Sequence, residues 1–503
     1  MTGGAARLAG VSVRGGVLTA SVGLAVALLL GRATGLVRES IIAARFGLSN
    51  EGDAAAVLLS LPDILVSLLM AGGMSAALVP RLANAADAEA AALVRFVAGI
   101  SLIIFGALGL VLLFLPELIF GIFAPGSLAV AQAPSALALG TTAAALPVVA
   151  LSGVTGAWLN AKGRYWAVGL GTLLFNCGVI GALLGWDWGA SPLAVLGCGV
   201  LAGSLLRWSV QLPGLPWRSL IDRVERPETK RAFFAAFLAG LGATTVTLLP
   251  PIVLRAMASF LGEGSLVGLY YAQKLVELPV GVVLSSLSTV ALTALSTSFR
   301  EHGLPRARYE AAVHLRRASL LGLIVAIFGA GMAWQIVEVV FGHGRIGPEG
   351  VATIAGQFAI GIFALPFAAL ALIGGNFLYA TRQPRAAILP AICGLAATAL
   401  CAVPALTYGD PRYLMVAAVA GQAVLALGVV ARGGLLFRRV APGASGGTIG
   451  SWLVRALQAT IPLALALWLA AIASPAGAMV QLAIAGVGLA IAGAIVVWRD
   501  ARA

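Results

Sequence analysis

The stretch ASVGLAVALLLGRATGLVRESIIAARFG, residues 20–47, decides how the rest of the chain is read. It begins as an apolar run long enough to enter a bilayer, then carries Arg32, Arg38 and Glu39 without losing its apolar character. A charged side chain at bilayer depth costs about 2.5–3.5 kcal/mol or more unless it faces a partner or a wet cavity. A first span that keeps several cations therefore points to an anionic cargo. Arg32 and Glu39 are two helical turns apart and share a face, while Arg38 and Arg45 share another, about 120° around the helix. Two readings stand side by side. An internal Arg32–Glu39 ion pair would only staple helices, whereas both faces lining a cavity wall would leave cations for a ligand. Cations outnumber Glu39 here, and arginine forks match phosphate oxygens.

Composition sets the class. Of 503 residues, 60% are apolar and only 10% charged, and mean hydropathy is +1.01; no soluble core needs that. The net charge of +13 does not indicate nucleic acid, because the cations cluster in short segments between apolar runs, as in the positive-inside pattern. Cys177, Cys198, Cys393 and Cys401 lie in apolar runs without metal-ligand spacing and read as small buried core residues. No histidine cluster, metal site or nucleotide loop is present in the sequence, so no cofactor is expected. Arg7 and Arg14 precede the first apolar run as in a secretory leader, but the run is too long and no A-x-A site closes it. It reads as a retained first span.

Fourteen candidate spans follow: about 17–44, 54–80, 92–123, 132–160, 165–186, 191–213, 232–261, 265–298, 313–342, 351–380, 386–407, 411–436, 450–472 and 476–498. An even number puts both termini on one side. With the termini cytoplasmic, the inward segments and their flanks, Arg207 and Arg455 included, hold about 25 of the 32 Lys and Arg. Segments 216–231 and 299–317 are the longest of these. Outward segments hold Arg45, Arg345 and Arg412. Four cations remain at membrane depth: Arg32, Arg38, Arg255 and Lys274.

The chain also repeats itself. LPDILVSLLMAGGMSAALVPRL (61–82) resembles LPVGVVLSSLSTVALTALSTSF (278–299). PELIFGIFAPG (116–126) resembles VEVVFGHGRIG (337–347), with Glu117 over Glu338. GAWLNAKGRYWA (156–167) resembles GNFLYATRQPRA (375–386). The offsets lie close to 219, six spans, which predicts parallel repeats with a substrate site between them. The expected organisation is an N-terminal lobe over 1–225, a second lobe over 226–440, and two further helices in 441–503.

Within that frame, Lys274 and Glu277 in YYAQKLVELP (270–279) stand at i,i+3: an intrahelical pair, or a lysine that releases its acid to bind phosphate. Pro62 and Pro279 occupy matching repeat positions and predict paired kinks. Arg255 sits toward the outer end of its span, either snorkelling to the interface or serving as a ligand. Asp53 either pairs with the first-span arginines or caps a helix, and Asp63 reads as a helix-start residue after the Pro62 kink.

The signature GRATGLVRESIIAARFGLSNEGDA (31–54), with its R-x-x-G-x-x-R-[DE] pattern, together with YYAQKLVELP, FGHGR (341–345) and LYATRQPR (378–385), resembles the MurJ/MviN family of lipid II flippases within the multidrug/oligosaccharidyl-lipid/polysaccharide exporter superfamily. The resemblance covers most of the first twelve spans. It implies an all-α polytopic membrane protein of about fourteen helices, with a V-shaped pair of six-helix lobes plus two C-terminal helices. It further implies a central cationic cavity for the diphosphate and glycan and a groove near the last two spans for the polyprenyl tail. By position, Arg32, Arg38, Asp53, Lys274 and Glu277 match the family's functional residues. Lys274 stands where the family has arginine, and Val66 and Ala71 stand where typical members have Arg and Glu. The function implied is transfer of a polyprenyl-diphosphate-linked glycan, lipid II, from the inner to the outer leaflet of a bacterial cytoplasmic membrane. The partners implied are that glycolipid and membrane lipid, with proteins of cell-wall or polysaccharide synthesis as neighbours. Three alternatives are a flippase for another lipid-linked polysaccharide unit, a drug/cation antiporter of the related efflux type, and a membrane enzyme on lipid-linked glycans. The antiporter predicts acids facing the cavity, and the enzyme needs catalytic outer loops that are short here. The expected cavity charges are mostly cationic, and no catalytic set is present in the sequence.

Overall fold

The computed structural model describes residues 30–68, 78–85, 87–185, 191–217, 246, 248–435, 463–467, 469–471 and 477–500. Among these the chain is helical, without a strand. In order the helices are α1 (30–46), α2 (Asn50–Ser67), α3 (Val79–Asn84), α4 (Asp87–Phe114), α5 (Pro116–Phe123), α6 (Leu128–Gln132), α7 (Ala136–Ala161), α8 (Tyr165–Gly185), α9 (Pro192–Ser209), α10 (Leu248–Ala258), α11 (Ser265–Pro279), α12 (Ser285–Gly331), α13 (Ala333–Phe341), α14 (Pro348–Gly361), α15 (Ala364–Ala380), α16 (Ile388–Tyr408), α17 (Arg412–Arg432) and α18 (Ala478–Asp500). Local chemistry sets several boundaries. Ser135 and Ser191 accept hydrogen bonds from the backbone N–H groups of Ala138 and Ala194, capping α7 and α9, and Pro192 follows its cap. Gly409, at φ 67°, ends α16 in the left-handed conformation.

Seven helices among the described residues are long and apolar enough to cross a membrane, or eight if the bent pair α14–α15 counts as one span. Their outward surfaces are apolar: Ile103, Leu184 and Leu400 are more than two-thirds exposed. Such surfaces demand lipid rather than water. The described parts of the expected fourteen spans agree in place, with five differences; one is the ninth (313–342), which is split at Met332 between α12 and α13. The third expected span (92–123) is α4 followed by a separate short α5 after Leu115. The tenth is broken between α14 and α15 and bent by 41°. The expected loop 299–317 is helical on both sides of Gly303, whose φ of 76° marks the kink within α12. The reason lies in Ala307, Ala311, Leu315 and Ala318, all buried at helical spacing, so the charged face is one side of an amphipathic helix. Asp63 lies inside α2, which runs on through Pro62 to Ser67, and does not start a new helix. The first part of span 1, residues 69–77 with Ala71, most of segment 216–231, the first part of span 7 and residues 450–462 lie outside the described residues.

Cys177, Cys393 and Cys401 are exposed and Cys198 half-buried, all as free thiols. The expectation of buried cysteines is thus corrected for three of the four. A thiol is apolar enough to sit on a lipid-facing surface.

The described residues fall into two compact units. Unit 1 comprises those up to Thr245, apart from Gly47–Ser49 and Phe123–Ser127; unit 2 comprises these two short segments and everything from Val246 onward. In unit 1, Leu93, Val94 and Val97 of α4 pack on Ala150, Val154 and Trp158 of α7. Helices α8 and α9 approach closely because Gly178 faces Gly203: a Cβ on Gly178 would lie 2.5 Å from the Gly203 Cα. Close approach at small residues is how helices associate where lipid removes the hydrophobic drive. In unit 2, Leu295, Ala307 and Ala311 of α12 pack with Phe377 and Leu378 of α15 and Val429 of α17. Ala485 and Ala492 of α18 pack against α12 and its neighbours through Leu320, Ile324 and Met332.

Candidate functional site

Charge inside the apolar helices of unit 1 is concentrated where α1, α2, α8 and α9 meet. Arg38 of α1 has a side chain only 6% exposed. Its Nη1 donates to Asn176 Oδ1 of α8 at 3.1 Å, its Nη2 donates to Glu39 Oε1 at 2.5 Å, and the same Nη2 lies 3.7 Å from Asp63 Oδ2 of α2. The guanidinium carbon stands 5.5 Å from the centroid of the Phe175 ring. Asn176 also donates from Nδ2 to the Gly31 carbonyl at 2.9 Å and to Thr34 Oγ1 at 3.3 Å, tying α8 to the first helix. Gly35 faces this amide, and a Cβ there would sit 3.4 Å from Asn176 Nδ2. Arg45, two turns beyond Arg38, donates to the Leu183 carbonyl near the end of α8, where a cation complements the helix dipole. Arg207 lies buried in the last turn of α9.

Unit 2 places Arg255 on α10 and Lys274 on α11. Arg255 is 6% exposed, so it does not snorkel to an interface. Its Nε donates to Gln273 Oε1 at 3.1 Å, and its guanidinium carbon lies 4.8 Å from the centroid of the Tyr270 ring. Lys274 Nζ lies 5.3 Å from the same centroid and 3.3 Å from Glu277 Oε2, so the intrahelical pair expected from the i,i+3 spacing is formed. One buried aromatic ring thus serves two cations. Tyr271 packs on Phe341 of the FGHGR segment, with centroids 4.9 Å apart. Pro279 closes α11 and is followed by a π-helical turn, Val280–Leu284.

Of the residues singled out from sequence, Arg38 and Glu39 meet within unit 1, and Arg255, Lys274 and Glu277 cluster within unit 2. Arg32 is half-buried on α1, and the ion pair described for Glu39 is with its neighbour Arg38. Asp53 is buried in the first turn of α2, a position that favours an acid by the helix dipole. Pro62 is buried within α2. Sequence reasoning missed Asn176, Tyr270 and Gln273, gave Asp63 the wrong place and counted Arg207 among the loop flanks. Asn176 carried a usable signal: it is a lone amide in the apolar run of α8. No group of three or more metal-binding side chains occurs among the described residues.

Helices with lipid-compatible surfaces, and arginines held at membrane depth by amides, acids and rings, define a polytopic membrane transporter. Residues 42–488 match the family described as lipid II flippase MurJ, and the chain belongs to that family. A probable lipid II flippase from Thermotoga maritima is 29% identical over 341 residues, 66% of this chain and 68% of the relative. The lipid II flippase of Burkholderia cenocepacia is 26% identical over 348 residues, 66% of this chain and 67% of that protein. In fold, the chain is similar to a lipid II flippase in an inward closed conformation, with a TM-score of 0.75 at 19% identity over 95% of this chain and 99% of that one. It is also similar to an inward-facing multidrug resistance MATE family transporter of the MOP superfamily, with a TM-score of 0.67 at 15% identity over 83% and 97%.

Proposed function

We propose that this chain moves lipid II from the inner to the outer leaflet of a bacterial cytoplasmic membrane by alternating access. The observation that carries this reading is family membership over residues 42–488, joined to a buried arginine cluster on the family's first-span signature. The diphosphate is the part of the cargo most costly to bring into the membrane, and fixed guanidinium and ammonium groups offset that cost. Arg32, Arg38, Arg255 and Lys274 serve as its ligands; Glu39, Asp53 and Glu277 hold the cations when the substrate is absent. Pro62 and Pro279 give their helices the freedom to bend as access changes. The two units act as parallel repeats with both termini cytoplasmic, supported by the 219-residue offset and the cation asymmetry. Because the sequence offers no nucleotide-binding loop, an ion gradient or the membrane potential drives the cycle. The protein acts as a carrier, and its working neighbours are the enzymes that make and polymerise the glycolipid.

The test is rescue of a strain depleted of its own lipid II flippase, paired with direct binding of purified protein to lipid II. Rescue with binding is expected. Failure to rescue, combined with transport of a different polyprenyl-linked glycan, would leave the fold reading standing and remove lipid II as the cargo.

A further inference from the structure

The π turn of unit 2 and the first turns of α12 meet α15 along an apolar seam. Leu284 and Ala291 pack with Ala369 and Ile373, and Leu295 packs with Phe377 and Leu378. One polar pair interrupts this seam. Asn376 of α15, only 8% exposed, donates from Nδ2 to both the Ser288 carbonyl and Ser288 Oγ, each at 2.8 Å. Ser288 falls at helical spacing between Leu284, Ala291 and Leu295, so the amide grips α12 on the face that α15 covers. Apolar side chains in such a seam can exchange partners at little cost. A buried amide must keep its own partners or stand unmatched, so it fixes rotation as well as contact.

The place that it grips gives the bond its significance. Pro279 ends α11, and Val280–Leu284 follow as the π turn. A π turn winds wider than an α turn, is rarely formed, and gathers at functional positions. One residue gained or lost in winding is about 100° of helix rotation. The turn therefore sets the rotation of α11 relative to α12, and with it the direction in which Lys274 and Glu277 project. Ser288 stands four residues beyond the turn. The Asn376 amide holds this downstream side, while Pro279 lacks the N–H that an unbroken helix would use on the upstream side. We propose that Asn376 is a positioning residue for transport: through Ser288 it holds the π turn, which aims Lys274 at Tyr270 and Glu277, and release of Ser288 frees α11 to rotate during the cycle. The cargo in this proposal rests on the lipid II reading above, but the aiming of Lys274 does not.

The experiment uses full-length protein in nanodiscs. It reads acylation of Lys274 by an amine-reactive reagent, peptide by peptide in a mass spectrometer, with the exposed Lys162 as internal reference. Lipid II binding, thermal melts and rescue of a flippase-depleted strain are measured alongside. Asn376→Leu keeps the volume and removes both bonds. Lys274 should then label about tenfold faster relative to Lys162, the scale of two lost net hydrogen bonds, and rescue should fail. Ser288→Ala keeps the carbonyl bond and should speed labelling about threefold with partial rescue, which keeps the test decisive where Asn376→Leu does not fold. A merely structural amide would lower the melting temperature and leave Lys274 labelling of the folded protein as it was. That result overturns the proposal, and so does full rescue by Asn376→Leu. Faster labelling in both variants of a protein that binds no lipid II would leave the aiming of Lys274 standing and overturn the lipid II reading instead.

Discussion

Units 1 and 2 both bury an arginine within apolar helices, and they hold it by different chemistry. In unit 1, Arg38 is gripped directionally by Asn176, Glu39 and Asp63, with two of those three partners anionic. In unit 2, Arg255 rests on the Tyr270 ring and the Gln273 amide, and Lys274 shares that ring while pairing with a Glu277 that is 54% exposed. The first arrangement fixes both position and net charge. The second fixes position more loosely, through a ring face, an amide and a half-exposed acid. An orientation-dependent site in one unit and a charge-dependent site in the other is a division that substitutions can separate.

The largest effect is expected at Arg38. Arg38→Ala should abolish rescue of a flippase-depleted strain, to the level of an empty vector. Arg38→Ala should also weaken the fold, because removing one partner of a buried ion pair costs about 3–5 kcal/mol. The melting temperature should therefore fall in Arg38→Ala and recover substantially in Arg38→Ala/Glu39→Ala, while transport stays absent in both. Arg38→Lys should also fail, since one ammonium cannot reach Asn176, Glu39 and Asp63 in the geometry of a fork. Rescue by Arg38→Lys would show that unit 1 needs charge only, and the contrast between the units would collapse.

Asn176 comes next. Asn176→Leu keeps volume in α8 but removes the bonds to Arg38 and to the Gly31 carbonyl. Leaving buried polar groups unmatched costs about 1–3 kcal/mol. Transport about tenfold below wild type is expected, with near-normal membrane levels on an immunoblot. Unchanged transport would mean that Glu39 and Asp63 suffice to aim Arg38.

How much of this was readable beforehand depends on what each signal reports. Apolar runs located the described spans because lipid-facing helices must be apolar on nearly every side. The same signal misread 299–317, where charge was taken for a loop. The pair Arg306–Glu310 at 3.2 Å and the buried Ala307, Ala311, Leu315 and Ala318 show a helix that hydropathy averages cannot see. Pro147 and Pro366 stand one repeat offset apart, yet α7 runs unbroken through the first while the α14–α15 break precedes the second. Proline supplies the option of a bend, and packing around it decides whether it is taken. For the site, intramembrane charge pointed to Arg38, Arg255 and Lys274 directly. Their partners were harder to find, because Asn176, Tyr270 and Gln273 become informative only once α8 and α11 are set beside the helices they serve.

Tyr270 tests the looser arrangement. Tyr270→Leu removes a ring that two cations share, and a cation–π contact in a desolvated place is worth about 2 kcal/mol or more. A several-fold loss of transport is expected, with a smaller fall in lipid II affinity, because both charges remain. Tyr270→Phe keeps the π face and should lie close to wild type in the rescue assay. A Tyr270→Phe protein as impaired as Tyr270→Leu would show that the phenolic hydroxyl matters more than the ring.

The smallest effect is expected at Lys274, and it is the sharpest comparison with Arg38. Lys274→Arg keeps the charge, the i,i+3 reach to Glu277 and the approach to Tyr270, on which a planar guanidinium stacks well. The side chain is 22% exposed, so the larger head has room without displacing a packed core. Rescue and lipid II affinity should both stay within about twofold of wild type, a range set by contacts worth a few tenths of a kcal/mol. Read beside Arg38→Lys, the same chemical exchange run in the opposite direction, tolerance at Lys274 and failure at Arg38 would assign charge to unit 2 and fork geometry to unit 1. Loss of function in Lys274→Arg would instead mean that the compact ammonium is itself recognised. Unit 2 would then be as selective for its cation's shape as unit 1.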